Sequence, residues 1–107
     1  MILRRFLTIA FGLAALSPSA HAQDDAVLGA YAAFRAGDPD KLARHAAALQ
    51  GHTLEPWADY WRLRLRIEDA KPDEVQRFLT RHAGTYLADL LRSDWLRELG
   101  RRGEWLA

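Results

Sequence analysis

Cysteine is missing from all 107 residues, so no disulfide staples the fold and no lipid can be attached as in a bacterial lipoprotein. Long apolar runs are missing too. The most apolar stretch, residues 6–16, is eleven residues long, well short of the roughly 18–20 that cross a bilayer; no stable membrane anchor is expected. There is no excess of charge of either sign: the chain carries a formal charge of +1. Nucleic-acid binders usually show a basic stripe, and none is present. No segment alternates apolar and polar residues for long, and neither Asn-Gly nor Asp-Gly occurs, so β-hairpins have no support. What remains is an all-α chain that must hold together by helix packing.

The N-terminus is set apart from the rest. Arg4 and Arg5 precede the apolar run, Ser17-Pro18 breaks it, and Ala20-His21-Ala22 places small residues at Ala20 and Ala22, the two positions a signal peptidase reads. Residues 1–22 are therefore expected to be a cleavable secretory signal peptide. The exported part, residues 23–107, keeps 13 of the 15 basic residues against all 14 acidic ones and is close to neutral.

Helix signals follow in order. Asp24 and Asp25 start a helix to about Ala36, with Val27, Leu28, Tyr31 and Phe34 as its apolar side and Gly37 as its stop. Asp38-Pro39-Asp40 supplies a cap, a first-turn proline and an acid near the dipole. The helix it opens is expected to reach Gln50 and to bury Leu42, Ala43, Ala46 and Leu49. After a turn at 51–54, Glu55-Pro56 opens a helix over 55–69. Lys71-Pro72-Asp73 opens a short one with Val75, Phe78 and Leu79 inside, stopped near Gly84. Residues 85–99 then carry Leu87, Leu91, Trp95 and Leu99 on one stripe. Glu104-Trp105-Leu106-Ala107 reads as the first turn of a further helix, so the chain is expected to be cut within a longer array and not capped.

The 55–69 helix is the organising one. At about 100° per residue, Asp59, Arg62, Arg66 and Asp69 gather on a narrow polar arc. Trp57, Ala58, Tyr60, Trp61, Leu63, Leu65 and Ile67 cover more than half the circumference, as a helix with neighbours on several sides does. Trp57, Tyr60, Trp61 and Leu65 are its expected core residues. Arg64 and Glu68 fall inside the apolar arc at i,i+4, the spacing of an intra-helix ion pair. Pro39 and Pro72 lie 33 residues apart, each opening a short helix after similar turn chemistry; a period near 34 is that of helix–turn–helix solenoids. The tetratricopeptide consensus is not matched.

Three stretches together, Arg35-Ala36-Gly37-Asp38, Leu54-Glu55-Pro56-Trp57-Ala58-Asp59-Tyr60-Trp61 and Trp95-Leu96-Arg97-Glu98-Leu99-Gly100-Arg101-Arg102-Gly103-Glu104-Trp105, resemble the N-terminal superhelical region of bacterial soluble lytic murein transglycosylases. The resemblance covers nearly all of residues 24–107 and rests on packing and turn signatures. It implies a right-handed α-superhelix of short antiparallel hairpins in a periplasmic protein. It further implies a parent enzyme, a carbon–oxygen lyase, that cleaves peptidoglycan glycan strands without a cofactor and leaves a 1,6-anhydro sugar. In that family the chemistry belongs to a C-terminal lysozyme-like domain, where a Glu in a Glu-Ser motif acts as acid and then base. None of Glu55, Glu68, Glu74, Glu98 and Glu104 is followed by Ser, so no residue here inherits that role. On this reading the glycan partner is reached through domains joined in cis and absent from this chain. The rival is a small stand-alone periplasmic helical-repeat module that binds another protein.

The residues offer little chemistry of their own. Glu68, an acid on an apolar arc, is better explained by Arg64 than by glycosidic catalysis. His45, His52 and His82 lack the paired spacing of a metal site. Ser17 and Ser93 have no Gly-x-Ser-x-Gly context. Trp57 and Trp61 could stack on sugar rings, but at i,i+4 on so broad an apolar arc they belong to the core. The polar arc of Asp59, Arg62, Arg66 and Asp69 is a solvated face or a partner-binding one.

Overall fold

The computed structural model describes residues 20–103. Residues 1–19 of the expected leader, Ser17 among them, and the helical turn expected at 104–107 lie outside the described residues. Among these residues there are five α-helices and no strand: α1 (Ala20–Ala36), α2 (Pro39–Ala47), α3 (Glu55–Leu65), α4 (Pro72–Arg81) and α5 (Tyr86–Arg102). None is long and apolar enough to cross a membrane. Ala20 and Ala22 stand in the first turn of α1.

The helix starts are written in the sequence. Asp38 accepts a hydrogen bond from the Lys41 amide at 3.0 Å ahead of Pro39, and Thr85 accepts from the Ala88 amide at 3.3 Å at the head of α5. At α4 it is Glu74 that reaches back to the Lys71 amide, at 3.1 Å. Each satisfies a donor that the first turn cannot. Gly103 ends α5 in the left-handed region, φ 75°, where a side chain would be strained.

The helices layer around α3, which packs against α1, α2 and α5, while α1 lies along α2 and α4 packs on α5. Burial of Ala58, Tyr60, Trp61 and Leu63 spreads the buried surface of α3 widely, in keeping with its broad apolar arc. Tyr60 and Trp61 are core residues as expected; Trp57 and Leu65 are half-buried and pack against that core.

Five expectations are corrected. The 55–69 helix ends at Leu65: Arg66 leaves helical geometry (φ −116°, ψ 32°), and Ile67–Asp69 forms a 3₁₀ turn. That break buries Ile67 and Ala70, and three carbonyls it exposes, those of Ile67, Glu68 and Ala70, accept from Arg102 Nη2 at 3.1, 2.9 and 3.2 Å. Because the helix stops, Arg64 and Glu68 are no longer one turn apart and do not pair; Arg64 instead faces Asp94, Nε to Oδ2 3.6 Å. In α1 the inward stripe is Ala26, Ala30 and Ala33, flanked by Val27 and Phe34, whereas Leu28 and Tyr31 are exposed. Small residues let α2 come close, which a Leu-lined face would hold off. Finally, α2 stops at Ala47, with Leu49 still buried in the following turn, and α5 runs through Gly100 to Arg102.

Candidate functional site

Two polar grooves flank α3, and between them they hold most of the interacting charges. The first lies between α3 and α4. Asp59, Arg62 and Arg66 follow one another at i+3 and i+7 along α3 and its end, while Glu74, Arg77 and Arg81 repeat at similar spacing on α4, so both rows face one gap of about 260 Å³. Leu63 and Phe78 are its buried apolar lining. Arg66 grips Glu74 through both terminal guanidinium nitrogens, Nη1 and Nη2, and that bond, with the Lys71 amide, holds the Glu74 carboxyl down at about 2. Arg77 pairs with Asp73 at 3.1 Å.

Asp59 is placed differently. Its carboxyl is pushed up, first by burial and then by the charge of Glu55; Arg81, His82 and Arg62 pull it partly back. Arg81 stands 4.0 Å from Asp59 Oδ2, and His82 Nε2 stands 3.8 Å from the same oxygen. The His82 side chain is only 10% exposed, packs against the Phe78 ring at 4.4 Å, and its Nε2 has no hydrogen-bond partner. A buried polar atom left unpaired is uncommon in folded chains.

The second groove, about 570 Å³, lies between the end of α3, the 3₁₀ turn and α5. Tyr60 donates to Asp94 Oδ2 at 2.5 Å, and Arg64 and Arg97 stand at 3.6 and 3.3 Å from the same carboxylate. Burial, followed by this bond to a carboxylate, raises the Tyr60 phenol, so it stays a donor. Glu98 is buried, held down at about 2 by hydrogen bonds from Arg101 and Arg102. Arg102 also lies over the Trp95 ring, 5.0 Å from its centroid. The two carboxylates at its floor, Asp94 and Glu98, already have cations and donors, which suits a clamp and not a proton-transferring acid.

The remaining candidates fall into structural places. Glu68 is exposed, and its carbonyl serves Arg102. Trp57 and Trp61 belong to an aromatic cluster in which Trp61 stacks on Phe34 at 6.1 Å and meets Tyr31 at 5.3 Å. The His45 ring lies against Gly29 so closely that a Cβ there would come within 2.4 Å. His52 accepts from the Leu54 amide at 2.9 Å in the turn before α3. The hydroxyl of Ser93 accepts from Arg97 at 3.2 Å. Asp69 is exposed in the 3₁₀ turn. Among the described residues no three His, Asp or Glu side chains are grouped to hold a metal ion. Sequence reading missed Asp94, Glu98 and Arg102; only the i,i+4 spacing of Glu98 and Arg102 hinted at them. Comparison with protein-family models, curated proteins and solved structures returns no match to this chain.

Proposed function

We propose that the chain is an N-terminal superhelical scaffold segment of a periplasmic lytic transglycosylase, exported by its leader and acting in peptidoglycan turnover through a catalytic domain joined in cis. The observation that supports it most is the state of α3. Its aromatic side chains are spent on packing against α1 and α5, and the carboxylates beside it, Asp94 and Glu98, are tied to arginines. Such a segment positions other parts of a chain and has no general acid of its own. The chain purified alone and incubated with murein sacculi is expected to release no anhydro-muropeptides, as read by mass spectrometry; their release would sink the scaffold role. The coding sequence beyond Ala107 is expected to continue into further helical hairpins and a lysozyme-like domain with a Glu-Ser motif.

A stand-alone helical-repeat module that binds another protein is the second reading. It is favoured by Tyr31 and Tyr86, 44% and 67% exposed, which join one aromatic cluster through Trp61 and Trp57; exposed apolar residues that cluster mark interaction surfaces. An immediate stop codon after Ala107 decides for it.

A further inference from the structure

The α3–α4 groove is the feature that neither reading uses. Four of its six charged lining residues are arginines, against Asp59 and Glu74, although the chain as a whole is nearly neutral. The local excess is therefore a property of this groove and not of the composition. Two of the four are engaged: Arg66 by Glu74 and Arg77 by Asp73. Arg62 makes no ion pair within 4.0 Å among the described residues, and Arg81 reaches Asp59 only at that limit. Two guanidinium groups thus face one gap with their bidentate donor edges largely unspent, the geometry that suits a carboxylate.

We propose that this groove docks an acidic peptide segment of a partner protein, with one Asp or Glu side chain anchored between Arg62 and Arg81. The inference is independent of the scaffold reading. The size of the gap selects the class of occupant: about 260 Å³ lies below the usual range of roughly 300–1,000 Å³ for small-molecule sites, but admits a side-chain carboxylate. Arg77 and Arg81 also border an open shallow surface with Pro72, Gln76 and Thr80, so a segment anchored in the groove can continue along α4. A peptide fits that track, whereas a free anion uses only the anchor.

The test is fluorescence anisotropy of labelled hexaglutamate against the purified chain, with labelled hexalysine and phosphatidylglycerol vesicles as separate arms. Hexaglutamate is expected to bind and to weaken at least about tenfold when Arg62→Gln and Arg81→Gln are combined. Arg92→Gln, an exposed arginine on α5 paired with Asp89, is expected to leave binding unchanged. Both groove arginines are exposed, and the double variant's helical circular dichroism checks the fold. Arg62→Glu with Arg81→Glu is expected to turn the preference to hexalysine. Absence of hexaglutamate binding, equal loss in Arg92→Gln, or binding of vesicles that hexaglutamate does not compete away would each overturn the proposal.

Discussion

The layer of α1 on α2 and the layer of α3 on α5 are held by opposite means. In the first, Ala26, Ala30 and Ala33 bring the helices close, Leu42 and Ala46 fill the seam, and the His45 ring lies over Gly29; among the described residues no ion pair joins the two helices. In the second, Tyr60, Leu91 and Trp95 supply bulk, and a polar seam crosses it through the Tyr60–Asp94 bond and the Arg64–Asp94 pair. The Glu98 and Arg102 side chains then tie the end of α5 to the 3₁₀ turn. Shape complementarity fixes the one and directed polar contacts fix the other. The first should therefore fail on added volume and the second on lost charge or lost bulk.

The largest expected effect is at α3, the aromatic helix of the second layer, where Trp61 faces Tyr31 and Phe34 of α1. Trp61→Ala should destabilise by about 3–5 kcal/mol in denaturant unfolding, the range for a large aromatic removed from a core, and half-buried Trp57→Ala by visibly less; equal losses at both positions would mean that their burial is not what separates them. Next comes the polar end of the same layer. Arg102→Ala should cost about 2–3 kcal/mol, because three carbonyls and Glu98 lose a charged donor at once. Hydrogen exchange should speed up at 67–70 and at the end of α5 more than in α1 and α2.

Gly29→Ala probes the other layer and should cost about 1 kcal/mol. The added Cβ overlaps the His45 ring, and the ring can swing aside, so His45→Ala combined with Gly29→Ala should recover most of the loss. Acid gives the smallest effect. Glu98 and Glu74 are held at about 2 when folded, against an ordinary 4.5. Their contribution is present above about 4.5 and fades as the pH falls toward about 2. Asp59 acts in the opposite sense, since its carboxyl is raised and folding favours its protonated form. Asp59→Asn should therefore leave stability at neutral pH unchanged or slightly higher. Between about pH 4.5 and about pH 2, amides of the 3₁₀ turn should lose protection before those of α1 and α2; the reverse order would break the contrast.

Much of this was legible in the chain. The turn chemistry of Asp38-Pro39, Pro72 and Thr85 marks helix starts because each local rule acts within four residues. Periodicity also identified Tyr60 and Trp61, and the breadth of the apolar arc on α3 correctly called for neighbours on several sides. Periodicity misassigned α1, where hydropathy favoured Leu28 and Tyr31 over Ala26, Ala30 and Ala33; size, not apolarity, decides which face an adjacent helix can approach. Of the candidate site, Asp59, Arg62 and Arg66 were visible as one polar arc. Their partners Glu74, Arg81 and His82 were not, since α4 returns across a break that no local signal marks.

The sequence by itself determined the all-helical class, the helix starts and most of the core, because propensity, capping and periodicity are short-range properties. Tertiary structure alone decided where α3 stops and which charges meet. Arg66 could have continued the helix, and Arg64 could then have faced Glu68. What prevents it is Arg102, 32 to 35 residues away along the chain, whose guanidinium serves the very carbonyls that the break sets free.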